Sequence, residues 1–266
     1  MKKRIITFCT VGLLLGAFSS AEAQIGSKLK DALGRLGASS GDTSKTTNNV
    51  VPQGDGQDEV TATEANSAIK QALGNGLQAS IKMLSAQDGY LGDAAVKILM
   101  PQEAQKVEKA LRAVGMGSLC DQFITSMNRA AETAVNEAGE VFVNSLSKMS
   151  INDAYTILLS GQEDAATSYF KTNTTSELTQ RFSPVIESAM GTNKVTEYWT
   201  QLTTAYNNLP LSSKVETNLT AYVTQKAIDG LFIKVADQEL KIRNNLGGSR
   251  STDLLSKVFG WADKQK

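Results

Sequence analysis

Two tetrapeptides, Ser67-Ala68-Ile69-Lys70 and Ser145-Leu146-Ser147-Lys148, place a serine one helical turn before a lysine. That spacing lets a neutral lysine accept the proton of a serine nucleophile, the pairing used by serine–lysine acylases. Those enzymes also carry S-D-N and K-T-G triplets, which are missing here, Lys171-Thr172-Asn173 being the nearest approach. Both tetrapeptides therefore read first as ordinary helical sequence. Asp55-Gly56-Gln57-Asp58-Glu59 is acidic but lacks the ligand spacing and closing glutamate of a calcium loop. Gly115-Met116-Gly117 lacks the third glycine and the preceding strand of a nucleotide loop, and reads as a helix stop. Cys120 falls beside an apolar stripe and reads as a small core residue, with a reactive thiol as the alternative.

Two polar sets remain. On a helix starting at Ser118, Asp121, Thr125, Asn128 and Glu132 recur at spacings of three or four on one shoulder of the apolar stripe, and Arg129 falls on the opposite side. Farther along, Lys226 and Asp229 interrupt a segment that is apolar nearly all round from Ala227 to Ala236. A helix of that kind is normally central, so charges in it must be paired, sit at an edge, or face a polar cavity. Asn128, Arg129, Glu132, Lys226 and Asp229 are accordingly the candidate site residues. They form either an internal seam in which two central helices satisfy each other, or a patch facing a ligand.

Composition removes whole classes of chemistry. The chain of 266 residues has no histidine and two cysteines, Cys9 and Cys120. Histidine-based triads, cysteine–histidine pairs and histidine-bearing zinc sites are therefore excluded within the chain, and no metal or cofactor is expected. A carboxylate or serine–lysine hydrolase is the enzymatic alternative left open. Basic and acidic residues balance at 27 each, which argues against a nucleic-acid partner needing clustered lysine and arginine.

The N-terminus reads as a cleavable export signal over residues 1–23. Lys2, Lys3 and Arg4 precede an apolar run from Ile5 to Phe18, and Ala21-Glu22-Ala23 supplies the small-x-small pattern before Gln24. Cleavage there would leave Cys120 as the one cysteine and a net charge of −2. Residues 24–37 form a short amphipathic basic arm, with Ile25, Leu29, Leu33 and Leu36 at helical spacing between Lys28, Lys30 and Arg35. The arm is expected to dock on its own domain or stay disordered, with weak contact with an anionic membrane surface or a partner groove through residues 25–37 as the alternative. Residues 38–58 are polar and small, a composition expected of a flexible linker. Residues 59–266 are expected to fold as one all-α domain, with no transmembrane segment after signal cleavage.

Within that domain the spacing predicts helices from Thr63 or Glu64 to Ser85, from Pro101 to Gly115, and from Ser118 through Leu146 as one long element. Ser150 with Asp153 three residues on marks the start of another. Further helices are predicted over 151–160, 163–171, 176–190, 194–208 and 217–245, and a last one begins at Ser251. No run alternates with the period of a strand.

Several stretches together resemble the domain-of-unknown-function family 4197. They are Ser126-Met127-Asn128-Arg129-Ala130-Ala131-Glu132, the region from Asp153 through Gly161 to Phe170, Tyr222 to Phe232, and Thr252 to Gly260. The resemblance runs from about Glu64 to Gly260 and implies a bacterial envelope protein with a signal sequence and a helical domain. It implies no activity, so no catalytic residue is carried over. The expectation is an exported, non-catalytic protein of the periplasm of a Gram-negative bacterium, binding an unknown protein partner or a small amphiphile.

Overall fold

The computed structural model describes residues 60–207 and 218–265. The segments read as signal, arm and linker lie outside the described residues, as does the acidic run at 55–59.

Thr61 opens helix α1 (Ala62–Ser85) through a reciprocal cap: its hydroxyl accepts from the Glu64 amide at 3.2 Å, and the Glu64 carboxylate accepts from the Thr61 amide at 2.9 Å. One face of α1 buries Ala65, Ala68, Ile69, Ala72, Leu77, Ile81 and Leu84. A 3₁₀ turn (Gln102–Ala104) leads into α2 (Gln105–Ala113), which ends where the spacing predicts. Gly115 takes φ +84°, the Met116 amide donates to Leu111 O and the Gly115 amide to Arg112 O, which closes the helix in a Schellman motif. Gly115-Met116-Gly117 is thus a helix stop.

The element predicted from Ser118 through Leu146 is two helices, α3 (Gly117–Ala134) and α4 (Ala138–Lys148), joined by a 3₁₀ turn (Val135–Glu137). The apolar stripe passes through this turn unbroken, with Ala134, Val135, Ala138 and Phe142 all buried. Redirecting the chain there keeps both helices against the same neighbour, α6. Helix α5 (Ile151–Leu159) starts with the Ser150–Asp153 capping box.

Helix α6 (Ala165–Thr192) replaces the two helices expected over 163–171 and 176–190. The polar stretch between them does not break it, and its side chains bond back one turn instead of competing for the backbone from outside the helix. Thr172 donates to Ser168 O, Asn173 to Tyr169 O, Thr174 to Phe170 O and Thr175 to Lys171 O. Its first turn is satisfied from a distance. Glu239 accepts from the Ala166 and Thr167 amides at 2.9 and 2.8 Å, and Arg243 in turn donates to Glu239 and to Ile157 O. Both charged side chains are buried.

Helix α7 (Val195–Asn207) follows, then α8 (Leu219–Arg243), capped by Asn218, and α9 (Asp253–Asp263), capped by Thr252. Among the described residues the structure is all-α, with nine α-helices and no strand. Helix α8 packs against α6 and α1 and is central. Phe142 meets Phe170 and Phe232 edge-on at 5.5 and 6.2 Å. Buried rings of that kind each contribute on the order of 1.5–3 kcal/mol by leaving water. No helix among the described residues is long and apolar enough to cross a membrane.

Candidate functional site

The segment between α1 and α2, residues 86–101, has no regular secondary structure and is fastened by side chains from two helices. It begins with tight turns. Asp88 lies in the left-handed region at φ +66°, and a Cβ on Gly89 would meet the carbonyl oxygens of Met83 and Leu84. Tyr90 is fully buried and donates its hydroxyl hydrogen to Ala227 O at 2.8 Å. Burial, with the nearby Glu132 charge, pushes that phenol well above the ordinary tyrosine range.

From α3, Glu132 Oε1 accepts from the amides of Tyr90 and Leu91 at 3.2 and 3.4 Å. Its other oxygen pairs with Arg129 at 2.6 Å, and Arg129 reaches on to Asp88 at 2.7 Å. Asn128, one turn earlier and fully buried, accepts from the Ile98 amide at 2.9 Å. Its Nδ2 donates to Ile98 O at 2.8 Å and to Ile124 O at 2.7 Å. From α8, buried Lys234 pairs with Asp93 at 2.6 Å and with Asp237 at 3.3 Å. The Lys234 ammonium holds the Asp93 carboxyl below the ordinary aspartate value, aided by the Ala95 amide, and Asp93 holds Lys234 above the ordinary lysine value.

The candidate residues thus divide. Asn128, Arg129 and Glu132 converge on one loop, and Arg129 joins Glu132 instead of pointing away from it as the spacing suggested. Lys226 and Asp229 are not brought to them. Lys226 is exposed, its ammonium 5.9 Å from the centre of the Tyr222 ring, and half-exposed Asp229 accepts from Gln225 at 3.0 Å. Among the described residues neither bonds to Asn128 or Glu132, so the two helices do not satisfy each other through these four groups. Asp121 turns outward to Arg112 at 2.6 Å.

Lys226 and Asp229 instead line a cleft of ≈ 520 Å³ between α8 and the chain at 95–105. Val96 and Met100 are buried beneath it, and Gly230 lets α8 approach closely, since a Cβ there would lie 2.8 Å from the Tyr90 ring and 3.2 Å from Val96 Cβ. Tyr222 bridges the other end by donating to Leu99 O at 2.9 Å. Leu99 and Ile233 present apolar surface at 56 % and 41 % exposure. Lys97, Gln102, Gln105 and Lys226 add polar ends, and Asp229 is the single carboxylate among the described lining residues. The lining offers apolar surface, charge and amide hydrogen-bonding groups.

Sequence reasoning missed Leu99, Ile233 and Tyr222, whose signal is weak. Ala95-Val96-Lys97-Ile98-Leu99-Met100 has apolar residues at both phases, so the alternation of exposure is hidden in composition. The buried Glu239–Arg243 and Lys234–Asp93 pairs were missed as well.

Elsewhere, Ser67 and Lys70 are half-buried on α1 and no hydrogen bond joins them among the described residues, although burial draws the Lys70 ammonium below the ordinary lysine value. Ser145 is buried and Lys148 exposed. Cys120 is buried, which pushes its thiol up. Among the described residues no group of three or more acidic or cysteine side chains is placed to hold a metal.

The family model described as "Protein of unknown function (DUF4197)" matches residues 59–260, and the chain belongs to that family. No curated protein and no solved structure matches.

Proposed function

We propose that this family member is an exported, non-catalytic binding protein whose ligand, a partner segment or a small amphiphile, lies in the cleft between α8 and residues 95–105. One observation carries the reading. Leu99 and Ile233 are exposed side by side with Lys97 and Lys226, and neither lysine has a carboxylate within ion-pair distance among the described residues. Exposed large aliphatics beside unpaired cations fit a molecule with an apolar body and an anionic end. The polar network of Asn128, Arg129, Glu132 and Asp88 serves this site from behind, by fixing the segment that forms one wall. Export is supported by the basic, apolar and small-x-small succession over residues 1–23. A periplasmic location is part of the same proposal.

Mass spectrometry of the natively purified protein under non-denaturing conditions tests the reading. Wild type should retain a bound small molecule or peptide, and Ile233→Asp or Lys226→Glu, both on the exposed face of α8, should lose it while keeping the Tm of ligand-free wild type. A protein that is bare, or variants that hold the same ligand equally well, would refute it. Mature protein beginning at Gln24 is the expected mark of export.

A further inference from the structure

Resting on that cleft, we infer that its occupant is an extended peptide, paired by strand addition with Lys97 C=O and Leu99 N–H and carrying apolar and acidic side chains in alternation. Exposure alternates along the segment: Ala95, Lys97 and Leu99 are exposed, while Val96, Ile98 and Met100 are buried. Residues 94–96 are a turn whose end is closed by Val96 N–H and Lys97 N–H on Asp93 O, and from Lys97 to Met100 the alternation is the period of two of an extended chain. In such a chain the N–H and C=O of one residue point to one edge, and those of its neighbours point to the other.

Both groups of Ile98 are taken by the carboxamide of Asn128, so the α3 side of the segment is closed as if by a neighbouring strand. Lys97 N–H is taken by Asp93 O at 2.8 Å in the preceding turn, and the Lys97 C=O and the groups of Leu99 are left for the opposite edge. The Tyr222 hydroxyl shows where that is, because it donates to Leu99 O from α8, across the cleft. On this second edge Leu99 N–H and Lys97 C=O have no hydrogen-bond partner among the described residues. One acceptor and one donor, flanking Ile98 and aimed into a cleft, are the two groups with which a parallel strand bonds the C=O and N–H of a single incoming residue.

The walls set the side chains. An added strand turns alternate residues toward the floor at Val96 and Met100 and toward the rim at Lys97 and Lys226. Apolar side chains suit the first and acidic ones the second, with Asp229 as the one opposing charge among the described lining residues. A single-chain fatty acid would meet Leu99, Ile233 and the lysines but would leave the backbone pair unmade. The peptide uses both.

The test is fluorescence anisotropy of the protein, freed of any retained ligand, with acetyl-Val-Glu-Val-Glu-Val-amide carrying a dye. Two further peptides have the same side chains but are N-methylated on the valines or on the glutamates. Alternate amides of a strand face opposite edges, so one methylated peptide should lose about tenfold in affinity and the other should bind nearly as the parent does. Lys226→Glu should weaken the parent peptide about tenfold at unchanged Tm. Equal tolerance of both methylation patterns would overturn strand pairing. If no peptide binds but dodecanoate does, and Ile233→Asp abolishes that binding, the strand inference fails while the cleft stands. If neither probe binds, both fail.

Discussion

Asn128 and Ile98 exchange the amide hydrogen bonds of two paired strands, although one group is a side chain: Oδ1 accepts from the Ile98 amide at 2.9 Å and Nδ2 donates to the Ile98 carbonyl at 2.8 Å. An asparagine on α3 thereby supplies the missing neighbour of an extended segment in a helical protein. Removing it by Asn128→Ala leaves a buried N–H and a buried C=O without partners. The expected cost is roughly 2–4 kcal/mol, read as a lower urea midpoint at an unchanged m-value. Asn128→Asp should be no better, since a carboxylate keeps the acceptor but turns a second acceptor on Ile98 O. A near-neutral Asn128→Ala would show that the segment is not held this way.

Glu132 and Asp229 should respond in opposite ways. Glu132 is buried, takes two backbone amides and pairs with Arg129, so Glu132→Ala leaves all three donors short. Because Arg129 keeps Asp88 and part of its hydration, the expected loss is about 2–4 kcal/mol, below that of a fully buried pair. Asp229 has one bond, to Gln225, at the rim of a cleft, so Asp229→Ala should change stability by about 1 kcal/mol or less. The two chemical denaturation midpoints decide the matter, and a large loss at Asp229 would contradict the arrangement described.

How far the sequence discloses these relationships depends on where the partner lies. Local ones are legible: the Ser150–Asp153 cap and the left-handed Gly115 stop follow from neighbours a few residues apart. The helical period survives the 3₁₀ turn at Val135–Glu137, so the spacing finds the buried stripe but not the change of direction. Asn128 and Glu132 stand out as polar groups on an apolar shoulder, yet their partners are backbone atoms of residues 30 and 42 positions away, which have no side-chain signature. For Lys226 and Asp229 the sequence leaves seam and cavity both open, for a different reason. Apolar residues all round α8 imply full burial, but Ile233 is left outside with them, on the face that lines the cleft. The polar run Thr172-Asn173-Thr174-Thr175 looks like a helix break until the return bonds to the preceding turn are seen.

Gly230 and Gly260 make a matched comparison of alanine in a helix. A Cβ at 230 would lie 2.8 Å from the Tyr90 ring and 3.2 Å from Val96, whereas at 260 nothing lies within 4 Å. Alanine favours the helix by about 1 kcal/mol at either place. At 260 that gain should appear undiminished, as a stabilisation of about 0.5–1 kcal/mol. At 230 overpacking of about 1–3 kcal/mol opposes it, and Tyr90 cannot move without straining its bonds to Ala227 and Glu132, so the net should be destabilising. Thermal unfolding of both variants checks the pair, and a stabilising Gly230→Ala would mean that the 86–101 segment yields easily.

The acid limb of stability should carry a signature of Glu64. Its carboxyl is lowered from 4.5 to about 2, first by the Lys257 ammonium at 2.7 Å and then by the amide and hydroxyl of Thr61. The folded-state value lies below the unfolded one, so between them the unfolded chain binds more protons. The contribution is therefore fully present above about pH 4.5 and is lost as the pH falls toward 2. The side chain is one-third exposed, and solvent screening limits the contribution to about 1 kcal/mol. Glu64→Gln should accordingly be less stable than wild type by about that amount at pH 7, and the two curves should converge as the pH approaches 2. Asp93 and Asp153 also have lowered values and titrate on the same limb, but they are common to both proteins and cancel in the difference. Lys257→Gln removes the first cause and leaves the cap, so it should show part of the loss at pH 7 and converge on the same limb. Urea midpoints measured from pH 7 down to 2.5 supply the comparison. Curves for wild type and Glu64→Gln that stay parallel throughout would show that the carboxylate's charge does not stabilise the start of α1.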